Sequence, residues 1–112
     1  MLASALCPAA NSRERFAYPD LRGLPTDPGC YALVTVDDVI IYIGQSINIA
    51  QRVAQHFDDP AKRLNTPNGV AFWCYYRRAK KSDLDRLERG WLNAHQIADG
   101  KLPHFNVQSG PV

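Results

Sequence analysis

Apolar residues along the chain fall into runs and stripes whose period changes, and each change marks an expected element. Residues 30–36 (CYALVTV) and 39–43 (VIIYI) are short, β-rich runs joined by the polar pair Asp37 and Asp38. That connection has the length of a tight two-residue hairpin, although it lacks the favoured glycine. Alternation puts Tyr31, Leu33 and Thr35 on one face, with Cys30, Ala32, Val34 and Val36 on the other. Gly44 is expected to end the second strand. The period then lengthens. Ile49, Val53 and Phe57 recur at i, i+4 and i+8, which predicts a helix over 47–57 with Ser46 as its N-cap. Arg52 and His56 are also four apart and share a face beside that stripe.

A turn-rich loop over 58–69 carries Lys62 and Arg63, and the bulky run 70–76 (VAFWCYY) is expected as a third strand. Arg77, Arg78, Lys80 and Lys81 follow it. Ser82 then caps a second helix over 83–98, whose apolar stripe is Leu84, Leu87, Trp91 and Ile97, and Gly100 ends it. Residues 102–106 are expected as an ordered return segment. Residues 1–28 hold four of the eight prolines and no sustained period. They are expected as a loose arm with at most a helical turn near 12–16, pinned by Phe16, Tyr18 and Leu21. The divisions that follow are an arm over 1–27, a folded domain over 28–107 and a tail over 108–112.

At 112 residues the chain fits one core. A net charge of +2 is too small to argue for nucleic acid, but its distribution is uneven. Residues 1–59 hold seven acids against four Lys/Arg, and residues 60–112 hold four against nine, a weak pointer to a phosphate-rich partner. Three cysteines (Cys7, Cys30, Cys74) without CxxC pairs argue against a disulfide scaffold or zinc site and for a reducing compartment. No apolar run approaches a membrane span, and the opening residues lack a basic n-region and are broken by Pro8. A cytoplasmic location without membrane contact is therefore expected.

Glu88 is the clearest anomaly. It lies four after Leu84 and three before Trp91, so a carboxylate borders a core-facing stripe and needs a partner. Two readings stand open: a salt bridge to Arg52 or another base, and a ligand for a hard divalent cation. Tyr31 and Tyr42 flank the hairpin and can bring their hydroxyls together. Arg52 offers a fork of donors suited to phosphate, and His56 can shuttle a proton. Trp73, Tyr75, Tyr76 and Trp91 are expected in core packing rather than base stacking. With Glu88, the tyrosines, arginine and histidine form a set that phosphodiester hydrolysis can use.

Gly29-Cys30-Tyr31, ten residues, then Tyr42-Ile43-Gly44 resembles the two blocks that name the GIY-YIG nucleases. The resemblance continues through Gln45, Ser46, Asn48, Arg52, His56, Glu88 and the Pro103 to Asn106 segment, and departs from the pattern at Cys30. It implies a small α/β fold, a central three-stranded antiparallel sheet flanked by helices, and cleavage of DNA phosphodiesters with one divalent metal. By the same resemblance Glu88 holds Mg2+ or Mn2+, and Arg52 contacts the scissile phosphate. Tyr31 accepts the water's proton with Tyr42 positioning phosphate or water, two roles that are exchangeable on the sequence. His56 shares the proton transfer and Asn106 braces the site. Lys62, Arg63, Arg77, Arg78, Lys80 and Lys81 are expected to contact backbone phosphates of duplex or branched DNA as a group. A homodimer or a protein partner is one source of target choice. The alternatives are a non-catalytic nucleic-acid-binding module with the same fold, and an interaction protein in which Arg52 and Glu88 form only an ion pair.

Overall fold

The two apolar runs either side of the acidic pair become neighbouring strands of a four-stranded antiparallel sheet. A computed structural model describes residues 1–108; the expected tail lies, from residue 109 onward, outside the described residues. The elements in chain order are β1 (Ser12–Arg15), β2 (Gly29–Val34), β3 (Ile40–Ser46), α1 (Ile49–Asp58), β4 (Trp73–Arg78), α2 (Leu84–Asp99) and α3 (His104–Gln108). The sheet order is β1-β4-β2-β3, so β3 is one edge.

Four strands replace the expected three, and the extra one comes from the arm. Residues 12–15 form β1 rather than a helical turn, pairing with β4 from Ser12↔Tyr76 to Arg15↔Trp73. Its sequence, SRER, has no apolar face, and the backbone ladder is supplemented by Arg13. That guanidinium stacks 3.8 Å from the Trp73 ring centroid and donates to the Tyr75 hydroxyl at 2.9 Å. The arm is not loose: Ala3, Leu6, Phe16, Leu21 and Leu24 are all buried.

The hairpin loop is one residue longer than expected. Thr35 N–H donates to Val39 O, and Asp38 N–H to Thr35 O, both at 2.9 Å. Residues 36–38 thus form a three-residue loop whose last position is left-handed, with Asp38 at φ 65°. Asp is among the residues that tolerate that conformation, and its carboxylate accepts from the Tyr75 hydroxyl at 2.7 Å.

Several ends also move. β3 runs past Gly44 to Ser46, because Gly29 pairs with Ser46 at the far end of the ladder. The cap of α1 is Asn48, whose side chain accepts from Gln51 N–H, and not Ser46, which bonds to Asn48's own backbone. β4 begins at Trp73, not at residue 70. Asp83, the last residue of a 3₁₀ turn, takes the cap position of α2 instead of Ser82, and Gly100 closes that helix at φ 73° as expected. Ile97 is 86% exposed and leaves the stripe; six residues beyond Trp91 it points away, and His95, four beyond, takes the buried place. The return segment is α3.

β2 is buried at every position and splits the core as its alternation requires. Tyr31 and Leu33 join Phe16, Ile49 and Val53 in a cluster with α1. Cys30, Ala32 and Val34 join Leu6, Ile43 and Trp91 in a cluster with α2. Each such large apolar side chain contributes about 1.5–3 kcal/mol when fully buried. Trp91 is fully buried and donates Nε1–H to Pro8 O at 2.8 Å, and Tyr76 is buried too, which fits packing rather than base stacking. No helix among the described residues is long and apolar enough to cross a membrane.

Candidate active site

One irregularity in β3 puts both hairpin tyrosines on one face. Val34 pairs with Ile40 but Leu33 with Tyr42, which leaves Ile41 as an extra, bulged residue. Ile41 and Tyr42 therefore both turn toward the α1 side, where Tyr31 and Leu33 lie. Gly44 stands opposite Tyr31. A Cβ there would sit 2.6 Å from the Tyr31 hydroxyl oxygen, 2.7 Å from its Cζ and 2.9 Å from Cε2 of Tyr42. Only a residue without a side chain lets Tyr31 lie across β3. The two tyrosine rings are 6.2 Å apart.

The i, i+4 spacing of α1 presents Arg52 and His56 to these rings. His56 is only 5% exposed, and its Nε2 lies 2.7 Å from the Tyr31 hydroxyl. Its ring is 5.0 Å from that of Tyr42. Burial, then the charges of Arg52 and Lys62, lower the His56 pKa from 6.5 to about 4. The ring is thus neutral at pH 7, and Tyr31 donates to Nε2 in the tautomer that carries its proton on Nδ1. Burial pushes the Tyr31 hydroxyl well above its ordinary range and raises Tyr42 as well, with the Arg52 charge opposing both shifts. Arg52 is exposed, and its Nη1 donates to Gln55 Oε1 at 3.0 Å. Lys62 reaches in from the turn after α1, 5.2 Å from the Tyr42 ring centroid and 5.7 Å from that of Phe105.

Glu88 comes from the other side of the sheet. It is half-buried, and its Oε1 accepts from Gln45 Nε2 at 3.1 Å. The same nitrogen donates to Asp85 Oδ1 at 2.6 Å. Burial raises the Glu88 pKa, the Gln45 bond opposes this, and repulsion from Asp85 adds to it. Its charge also raises Tyr42. Because β3 is an edge strand, groups on its two faces can act on a common point around it. The Arg52–Glu88 ion pair of the alternative reading does not form among the described residues. Each has a neutral amide partner instead, Gln55 for Arg52 and Gln45 for Glu88.

No group of three or more His, Cys, Asp or Glu side chains gathers as a metal cage among the described residues. A half-buried carboxylate bonded by a neutral amide, and lacking a salt bridge to Lys or Arg, nevertheless suits magnesium, which usually takes one or two protein carboxylates and keeps several waters. Asn106 holds the edge of the sheet. Its Oδ1 accepts from Ile43 N–H and its Nδ2 donates to Ile43 O, both at 2.9 Å.

The six basic residues expected to act as a group are divided. Lys62 lies against the tyrosines, and Arg63 stacks 5.3 Å from the Phe57 ring centroid. Arg77 instead donates to Ala9 O at 2.9 Å, and Arg78 pairs with Asp27 at 3.6 Å. Lys80 and Lys81 are exposed just beyond β4. Asp85 was not singled out from the sequence, and Gln45 entered only as part of the motif, with no role given to it. The i, i+3 spacing of Asp85 and Glu88 was the available signal. A cavity of about 320 Å³ lined by Ile40, His95, Asp99, Lys101 and His104, among others, shares no residue with this cluster.

The family described as GIY-YIG catalytic domain matches residues 27–100. Among curated proteins, "UvrABC system protein C" of Synechococcus sp. (strain CC9902) is 32% identical over 92 residues, covering 78% of this chain and 13% of that protein. The protein of the same name from Methanococcoides burtonii is 27% identical over 94 residues, covering 80% and 14%. That from Methylobacillus flagellatus is 26% identical over 97 residues, again 80% and 14%. The chain thus spans only about one-seventh of the length of these relatives.

Proposed function

The chain belongs to the GIY-YIG nuclease family, and from that premise we propose that it is a metal-dependent endonuclease hydrolysing DNA phosphodiester bonds. The observation that carries the reading is the buried 2.7 Å bond between the Tyr31 hydroxyl and His56 Nε2, set beside Arg52. A tyrosine with a pKa raised by burial is a poor base alone. With a neutral imidazole protonated on Nδ1 behind it, Tyr31 takes the proton of the attacking water as it hands its own to the free Nε2 of His56. No tyrosinate has to exist before the reaction begins. The new bond is from the water oxygen to phosphorus, and the bond from phosphorus to the leaving oxygen breaks.

Tyr42, on the same face, orients the phosphate. Arg52 meets the negative charge that grows on the non-bridging oxygens in the transition state, where a fixed cation is worth most. Glu88 would hold the divalent cation, Mg2+ or Mn2+, which when bound supplies Lewis-acid stabilisation of phosphate and leaving-group charge. Lys62 adds a second positive charge beside Tyr42.

The test is nicking of supercoiled plasmid with Mg2+ or Mn2+, running wild type beside Arg52→Ala and Glu88→Gln, all checked for folding. Wild-type nicking that both substitutions abolish is the expected result. Cutting that survives both would remove this site from the chemistry. Wild-type binding to DNA without any cutting would favour the non-catalytic module.

A further inference from the structure

The cavity of about 320 Å³ beside β3 has no part in the chemistry described above. Its size is at the lower end for ligand pockets, which start at roughly 300 Å³. The walls are mixed: Ile40, Pro67 and Leu102 are apolar, while His95, Asn68 and Lys101 bring polar groups. His95 is 2% exposed, and its Nδ1 lies 2.7 Å from Lys101 O. A carbonyl only accepts, so Nδ1 carries a proton and Nε2 is left for another partner. Asp99 Oδ2 is 3.5 Å from that atom, beyond a normal hydrogen bond, and is itself bonded by the Met1 ammonium. A nearly buried imidazole nitrogen on the cavity wall thus makes no hydrogen bond among the described residues. The cavity also adjoins the candidate active site. Helix α3 puts His104 on the cavity wall, and the next residue, Phe105, has its ring centroid 5.7 Å from Lys62 Nζ. The same ammonium is 5.2 Å from the Tyr42 ring centroid.

We propose that this cavity takes one unpaired nucleotide of a DNA strand whose nearby phosphate lies at Tyr42 and Arg52. The base packs on Ile40, Pro67 and Leu102, its hydrogen-bonding edge meets His95 Nε2 and the Asn68 amide, and its phosphate meets Lys101. A base is a flat body with donors and acceptors along one edge, and a mixed wall with a free acceptor suits that shape. Every base offers an N–H on that edge, so a lone imidazole acceptor selects no single base. Lys101 is exposed and brings the positive charge that a phosphate needs, while the charge of Asp99 is met by the Met1 ammonium. A base paired in a duplex has its edge occupied and its faces stacked, so it cannot reach His95. One that is already unpaired costs least to place there. This assignment rests on the nuclease reading and deepens it: the preferred substrate carries an unpaired nucleotide beside the cut, and DNA structure rather than sequence is selected. A free deoxynucleoside monophosphate shares the same chemistry, and the experiment separates the two sources.

The experiment uses the full chain in EDTA, where cutting is suppressed. Fluorescence anisotropy measures its binding to a labelled duplex and to the same duplex carrying one unpaired nucleotide. Wild type is run beside Asn68→Trp, which fills the cavity mouth, and Lys101→Ala. Both positions are exposed, so the fold survives, which circular dichroism checks. Wild type is expected to bind the interrupted duplex at least about tenfold more tightly than the plain one. Asn68→Trp should lose that preference with little change on the plain duplex, and Lys101→Ala should reduce it. Equal binding of the two duplexes by wild type, or a preference that Asn68→Trp keeps, overturns the proposal. Amide shifts at His95 and His104 on adding free deoxynucleoside monophosphate, with no preference between the duplexes, would assign the cavity to free nucleotides and overturn the strand reading. None of these outcomes depends on cutting, so plasmid nicking still tests the nuclease reading separately.

Discussion

Gly44 and His56 carry the residue-scale consequences of the site. Replacing Gly44 by alanine drives a methyl group into the ring of a buried tyrosine. Tyr31 cannot yield without leaving His56. Gly44→Ala is expected to cost about 1–3 kcal/mol of stability, as overpacking does, and to lose cleavage even where the fold survives; urea denaturation and a cleavage assay check both. His56 makes a pH prediction. Its folded pKa is lowered from 6.5 to about 4. Between those values the unfolded chain binds a proton that the folded chain refuses. Its neutral state therefore contributes stability above pH 6.5, which is lost as pH falls toward 4, by about 3 kcal/mol at most. Denaturation midpoints at pH 7 and pH 4.5 should differ less in His56→Gln than in wild type; an equal difference would show that His56 is not the group refusing the proton. Tyr31, Tyr42, Arg52, His56 and Glu88 stood out in the sequence because chemistry-bearing residues recurred at spacings that packing does not require. Asp85 did not, and Gln45 did only as a motif letter without a role, since an exposed carboxylate and a strand-end amide look like any solvated surface until one nitrogen is seen between two carboxylates.

At the scale of elements, periodicity revealed what it physically controls. β2 was readable as a short β-rich apolar run because both of its faces are buried, and the stripes of α1 and α2 because each helix buries one face against a core. β1 was not, because SRER buries no apolar face and is held by its ladder to β4 and by arginine stacking. The bulge at Ile41 was hidden too. An extra residue inside an all-apolar run changes which face each side chain takes without changing the composition. Asn106 is the element-scale device of the site. Ile43 N–H and C=O point outward from edge strand β3, and one side chain satisfies both. Asn106→Ala leaves them without a protein partner and should cost about 1–3 kcal/mol. It should also speed amide exchange at Ile43. Unchanged stability and exchange would mean that water replaces the clamp at no cost.

For the whole molecule, the first 16 residues are part of the fold rather than an appendage. They supply β1, cover the outer edge of β4, and bury Ala3, Leu6 and Phe16. Removing them should lower stability by at least about 3 kcal/mol, from Leu6 and Phe16 alone, and expose a strand edge that promotes aggregation. The sheet separates two helices that each supply residues of the proposed site, α1 with Arg52 and His56 and α2 with Glu88, and both pack against edge strand β3. The central claim is that Tyr31, backed by His56, moves the proton of the attacking water. The single-turnover rate of cleavage of a labelled duplex by Tyr31→Phe, at saturating enzyme and Mg2+, tests it. The proposed mechanism predicts a fall of at least about 100-fold, with the fold and DNA binding retained. A folded Tyr31→Phe protein that cuts at the wild-type rate would contradict it.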